Sequence, residues 1–281
     1  MKGCGTYAWF GYTYSFDERL RAIKDAGFDT VCTFWAREME GIDGKLLTQF
    51  ETAAKYNLYL EHTHLPYFGI DVIWGDDLKA SAYTDDIVSL VGTAGEGNIP
   101  TLVMHTCEIE SPDPSRYPFL LENMKRIADA CAQNEVKLAV ENLGKTCPAE
   151  NIIRDLSDNP WVGLCFDSGH NNVVRGSDFR LPEEFSDRIF ALHIHDNNGL
   201  EDQHVLPYSD GCTVDWKKFM DTMDGTSFGG SLMLESSYPI DYSLYTGEDD
   251  LSVPNPEYPM ESYLADAHDA CMRIYSEREK K

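Results

Sequence analysis

Four side chains could share one cation. Glu141, Asp167, His193 and Glu235 each close a short apolar run: Ala139-Val140-Glu141-Asn142, Cys165-Phe166-Asp167-Ser168-Gly169-His170, Leu192-His193-Ile194-His195-Asp196 and Leu232-Met233-Leu234-Glu235. Intervals of 26, 26 and 42 residues separate them. Carboxylates set in apolar segments are expensive to bury unless a cation pairs with them, and that penalty is the physical reason to expect a divalent metal. Three carboxylates and one imidazole make a hard, oxygen-rich donor set that suits Mn, Mg or Co and also accommodates Zn. Glu141 and Glu235 are in addition the candidates for general acid and base catalysis, since each could take up or return a proton.

A second group has the same character. His64, His105, His170, Asp202 and His204 also lie at or just beyond apolar runs, and could bind further metal or line a substrate pocket. His62 and His64 share one face of a strand by its period of two, and His64 is preferred because it is nearer the strand end. His195 stands in the same relation to His193 and is read as a pocket residue, whereas His268, on the last helix, is read as structural. Tyr7, Trp9, Trp35, Tyr67 and Tyr238 lie near the ends of apolar runs, where aromatic rings serve either core packing or stacking on a ligand.

Something must bring residues so far apart in sequence to one place. Apolar strand-like runs occur at 3–9, 28–35, 58–63, 101–106, 136–141, 162–167, 189–195 and 231–235, and amphipathic helical patterns separate them. One helix begins at Ser15 as N-cap, with Glu18 three residues on, and stops at Gly27; another spans 115–133, and a last one about 260–277. Eight such units predict a parallel sheet with crossover helices, an α/β fold closed as a single (β/α)8 TIM barrel over residues 1–281. In that barrel the C-terminal strand ends converge on one rim, so the candidate residues become neighbours. The rival, a doubly wound open sheet, would usually carry a phosphate-binding loop after the first strand, and none is present. Gly92-x-x-Gly95-x-Gly97 ends a helix and reads as a turn. No GxSxG or GxxxxGK[ST] motif occurs, so no cofactor-binding motif is expected besides the metal.

Composition restricts the partners. The net charge is −25, from 48 acidic and 23 basic residues. Such a surface repels nucleic-acid phosphates and anionic headgroups, so neither nucleic acid nor membrane is expected as a partner. No apolar stretch reaches the roughly 18 residues of a membrane helix, and no signal peptide is recognisable. Cys4, Cys32, Cys107 and Cys165 sit in apolar runs without CxxC spacing and read as buried free thiols, which points to the cytoplasm. A homo-oligomer is compatible with all of this.

Glu141-Asn142, Asp167-Ser168-Gly169-His170, His193-Ile194-His195-Asp196 and Glu235, with Asp202-Gln203-His204-Val205-Leu206-Pro207 leading to Val214-Asp215-Trp216, resemble the xylose isomerase-like barrel superfamily over nearly the whole chain. That superfamily contains sugar isomerases and epimerases, inosose dehydratase and the endonuclease IV group. The resemblance implies that Glu141, Asp167, His193 and Glu235 hold one ion. It also implies that, in an endonuclease IV-like arrangement, His64, His105, His170, Asp202 and His204 would complete a three-zinc site. The function implied first is a sugar or sugar phosphate isomerase or epimerase. There the metal would stabilise an enediolate while Glu141 and Glu235, from strands five and eight, move a proton on opposite faces of a sugar or polyol. An inosose-type dehydratase is the first alternative and a zinc phosphodiesterase the second. Ketose 3-epimerases carry an Arg six residues after the strand-seven His; here that residue is Gly199.

Overall fold

The structure is a computed structural model that describes residues 1, 3–8, 14–36, 43–237 and 258–279. Trp9 and Tyr238, named above as candidate stacking residues, lie outside the described residues. Eight parallel strands, β1 (Cys4–Tyr7), β2 (Thr30–Phe34), β3 (Tyr59–His64), β4 (Thr101–Met104), β5 (Lys137–Glu141), β6 (Val162–Asp167), β7 (Ile189–His193) and β8 (Leu232–Leu234), follow one another around the sheet, with β8 beside β1. The ring closes between β7 and β8. Ile194 pairs with Leu234, the Ile194 amide donates to the Met233 carbonyl at 2.8 Å, and the Glu235 amide donates to the Ile194 carbonyl at 3.0 Å. Every strand therefore has two neighbours, and no edge is left to cover.

Helices occupy the crossovers: α1 (Phe16–Asp25), α2 (Gln49–Lys55), α3 (Leu78–Glu96), α4 (Tyr117–Gln133), α5 (Ala149–Asp155), α6 (Ser168–Arg175), α7 (Arg180–Glu184), α8 (Trp216–Met223) and α9 (Met260–Ser276). The start of α1 follows from its capping box. Ser15 Oγ accepts from the Glu18 amide at 3.3 Å, and the Glu18 carboxylate accepts from the Ser15 amide at 2.9 Å. Phe16, Leu20 and Ile23 then face inward at helical spacing. The Gly92–Gly97 segment departs from its reading as a turn. Gly92 and Gly95 lie within α3, and the turn is confined to Gly97 and Asn98. The glycines there serve close packing: a Cβ on Gly97 would stand 2.9 Å from the Leu47 carbonyl oxygen, and one on Gly95 3.0 Å from Asn134 Cβ.

Two cores result. One lies between sheet and helices and includes Leu20, Ile23, Phe28, Leu60, Phe166 and Phe219. The other fills the barrel with the inward residues Val103, Ala139, Cys165 and Ala191. All eight cysteines are free, and Cys4, Cys32, Cys107 and Cys165 are buried. His268 packs edge-on against Phe28 with ring centroids 5.3 Å apart, consistent with a structural role. No helix among the described residues is long and apolar enough to cross a membrane.

Candidate metal centre

Directly above the apolar plug, the inward positions change from Val, Ala and Cys to His, Asp and Glu. His64, Glu141, Asp167 and His193 end β3, β5, β6 and β7; His105 lies one residue past β4 and Glu235 one past β8. Strand register sets Asp167 opposite His193 and Glu141 opposite Cys165.

The motif residues fix this arrangement. Asn142 clamps two strand ends, its Oδ1 accepting from the Asp167 amide at 2.9 Å and its Nδ2 donating to the Asp167 carbonyl at 3.0 Å. Ser168 Oγ donates to the His195 carbonyl at 2.8 Å and accepts from the His195 amide at 3.1 Å. Gly169 is required by contact, because a Cβ there would stand 1.9 Å from His195 Cε1. Buried Asp196 staples the loop after β7, accepting from the amides of Asn197, Tyr208 and Val214 and from Trp216 Nε1 at 2.8 Å. That loop delivers Asp202 and His204.

The donor atoms fall into four groups, three of them sharing Glu141, each spanning no more than 4.8 Å: Glu141, Asp167, His193 and Glu235; His64, His105 and Glu141; Glu141, Cys165 and His193; and His170, His195, Asp202 and His204. Two ligands on one ion at about 2.0–2.4 Å each stand no more than about 4.8 Å apart, so the groups have the right size. All nine side chains singled out from sequence come together here. Glu141 stands between groups. Its Oε2 faces His64 Nε2 at 3.3 Å and His105 Nε2 at 3.4 Å, while its Oε1 faces His193 Nδ1 at 3.2 Å and His170 Nδ1 at 3.3 Å. His195 and Cys165 join the groups although sequence reasoning gave neither a ligand role. His195 Nε2 lies 3.1 Å from Asp167 Oδ2, and its ring stacks on His204 at 3.8 Å. The period-two relation of His195 to His193 was the available signal.

The chemistry of the donor set fits a cation. Glu141 and Asp167 are fully buried, and every ion-pair partner they have in the site is an imidazole. Three of the imidazoles use one nitrogen on a backbone carbonyl and turn the other to an acid: His64 Nδ1 on Leu65 at 2.6 Å, His170 Nδ1 on Asn142 at 3.0 Å and His204 Nδ1 on Glu235 at 2.9 Å. Such carbonyls orient ligating histidines. His193 Nδ1 has no hydrogen-bond partner of acceptable geometry among the described residues, although Glu235 Oε2 is only 2.9 Å away.

The imidazoles and carboxylates of the site shift one another's protonation. Burial disfavours a charge on His193 and His170, yet the surrounding acidic groups (Cys165, Glu235 and Glu141 for His193; Asp167, Asp202 and Glu141 for His170) hold both well above the usual imidazole range. Against burial, Asp202 and nearby acids raise His204 to about 9. Burial raises the Glu141 and Glu235 carboxyls, but His193 and the other imidazoles outweigh it, holding Glu141 well below the carboxylate range and Glu235 at about 2. His62 and His105 are instead pushed down by burial.

A pH effect follows. A histidine raised to about 9 stabilises the fold fully below its unfolded value of about 6.5 and loses that contribution as pH rises through 9. His170 and His193 act in the same direction; Cys147, which the neighbouring Cys107 thiol lowers to about 7, opposes them. The chelator-treated protein is therefore expected to lose melting temperature between pH 6.5 and 9. Calorimetry in EDTA checks this, and a melting temperature that is flat or rising over that window contradicts it.

Residues 20–257 match the xylose isomerase-like TIM barrel family. The chain belongs to that family. Several solved barrels share the fold across their full length. An L-ribulose 3-epimerase superposes with a TM-score of 0.75 at 16% identity, covering 100% of this chain and 97% of that one. The D-psicose 3-epimerase of Clostridium cellulolyticum H10, solved with D-tagatose, gives 0.77 at 12% identity with 98% of each chain covered. The 3-keto-D-glucoside 4-epimerase YcjR of E. coli gives 0.69 at 14%, covering 98% of this chain and 100% of that one. In sequence, the chain is 34% identical over 112 residues to Uncharacterized protein y4fM of Sinorhizobium fredii (strain NBRC 101917 / NGR234); the match spans 38% of this family member and 35% of that relative.

Proposed function

We propose that the protein is a divalent-metal-dependent isomerase or epimerase of a sugar or polyol. The observation that carries this reading is the group of Glu141, Asp167, His193 and Glu235 at the barrel rim, with two glutamates flanking one histidine. These four would hold the ion, which supplies Lewis acidity toward a carbonyl and its neighbouring hydroxyl when bound. The facing imidazoles hold both carboxyls below the usual carboxylate range, so each is in the anionic form that a base or a metal ligand requires. Glu235 retains 14% side-chain exposure and is the better placed to meet substrate, whereas Glu141 has 1%. Tyr67 stacks on His105 with ring centroids 4.9 Å apart and offers an aromatic wall. The fold-related epimerases that act on ribulose, psicose and a keto-glucoside support the reaction class. Gly199 argues against ketose 3-epimerisation in particular. It is left-handed at φ 75°, and a Cβ there would stand 3.1 Å from Thr213 Oγ1, so an Arg would be strained.

One observation favours a second reading, a zinc phosphodiesterase. Glu141 is shared by three donor groups, one of them with His64 and His105, and His170, His195, Asp202 and His204 form a fourth. The charge of −25 opposes a polyanionic substrate. Elemental analysis of the purified protein, paired with two assays, separates the readings. One retained ion, with exchange of a carbon-bound proton of a ketose, aldose or inosose in deuterated water, is the expected result. Two or three tightly held zinc ions with hydrolysis of bis(p-nitrophenyl) phosphate would replace it with the second reading. Loss of water from the substrate would mark a dehydratase.

A further inference from the structure

We propose that His62, in the interior of the barrel, is a positioning residue that fixes which nitrogen of His193 is offered to the metal. The proposal rests on the reading of His193 as a ligand. His62 and His64 both point inward from β3 but have different neighbours. His64 joins the acidic rim, while His62 stands two residues earlier on the same strand, in register with Cys32. It is fully buried. A buried imidazole needs a polar partner, because leaving it without one destabilises the fold. The polar contact that His62 makes is from its Nε2 to His193 Nε2, at 3.2 Å, with ring centroids 5.2 Å apart. Its Nδ1 has no partner among the described residues.

The proton count follows from that contact. His193 Nδ1 faces Glu141 Oε1 at 3.2 Å and Glu235 Oε2 at 2.9 Å, so Nδ1 is the nitrogen on the metal side. To offer a lone pair there, His193 must carry its hydrogen on Nε2. That hydrogen needs an acceptor, and two N–H groups cannot face each other at 3.2 Å. His62 Nε2 is therefore bare and accepts, which puts the His62 hydrogen on Nδ1. Ligating histidines usually donate their far N–H to a carboxylate, a carbonyl or water; here a neutral imidazole occupies that place. It pins the tautomer and the ring plane without adding a negative charge beneath a site already rich in acids.

The test uses Co(II) binding by the chelator-treated protein, followed by its visible absorption and quantified by competition with a chromophoric chelator. His62→Leu removes the acceptor, and outer-shell losses of this kind weaken binding about 10- to 100-fold. His62→Gln places an amide oxygen near the former Nε2 and is expected to restore binding to within a few-fold of the natural protein. His62→Asn, whose shorter amide mimics Nδ1, is expected to stay weak. The Gln and Asn variants are matched in polarity, so their comparison holds even if the Leu variant fails to fold, and melting of each metal-free variant separates stability from affinity. Equal binding by the Gln and Asn variants, or His62→Leu binding within twofold of the natural protein, overturns the proposal. If the natural protein itself binds no Co(II), the metal reading of His193 fails instead.

Discussion

Glu141→Gln and Glu235→Gln are each expected to abolish turnover, and for different reasons. An amide keeps the shape of the side chain but cannot take up a proton at neutral pH. Loss of a positioned base alone typically lowers a rate by about 10²–10⁴. Glu141 has the wider role in holding the site. His64, His105, His170 and His193 all lie 3.2–3.4 Å from its oxygens, and the residue is buried. Glu141→Gln removes the charge that those imidazoles face, so it is expected to lose metal as well as activity. Glu235 is partly exposed, and in the groups described here it belongs to one set of donors. Glu235→Gln is therefore expected to retain an ion while losing proton transfer on its own face of the substrate. The measurement is deuterium incorporation into recovered substrate and product at saturating Mn, alongside metal content, for each variant. Exchange without completed isomerisation in the Glu235 variant would show the two glutamates serving opposite faces. Near-natural turnover in both would rule out two-carboxylate proton transfer and favour a hydride shift or a hydrolytic reaction.

The rim residues were legible in the sequence because a barrel strand that ends in His, Asp or Glu breaks its own apolar pattern. The eight strands are legible for the same reason, since β-branched and apolar runs alternate with helical periodicity. What the sequence could not specify was contact across strands. The pairing of His62 with His193 joins residues 131 apart, and period-two spacing shows that His62 points inward without saying what it meets. His195 poses the same difficulty: its contacts with Asp167 and His204, and the close approach of its ring to Gly169, appear only in three dimensions. Helix α3 runs on through Gly92 and Gly95 although glycine lowers helix propensity, because close packing of Gly95 against Asn134 outweighs that loss.

The largest loss of stability is expected at a pair that sequence reasoning did not single out. Arg19 lies on the inward face of α1, fully buried, with its Nη1 2.7 Å from Asp43 Oδ1. The same Nη1 donates to the Ala8 carbonyl at 2.7 Å and Nε donates to the Tyr14 carbonyl at 3.1 Å. Asp43 Oδ2 accepts from the Phe34 amide at 2.9 Å. The pair thus ties the ends of β1 and β2 to α1 on the rim that carries the site. Burial still pushes the Asp43 carboxyl above its usual range, even with Arg19 and the Phe34 amide favouring the charge, so the carboxylate depends on its partner. Removing one member of such a pair leaves a buried charge uncompensated and costs about 3–5 kcal/mol. Arg19→Met and Asp43→Leu are each expected to lose that much in urea unfolding, seen as a lower midpoint at similar slope. The double variant should lose clearly less than the two together, because neither charge then remains to be desolvated; residues in direct contact are where additivity fails. If each single variant loses less than about 1 kcal/mol, in the range of an exposed pair, the Arg19–Asp43 contact does not brace the rim, and packing of Phe16, Leu20 and Ile23 alone holds α1 to the barrel.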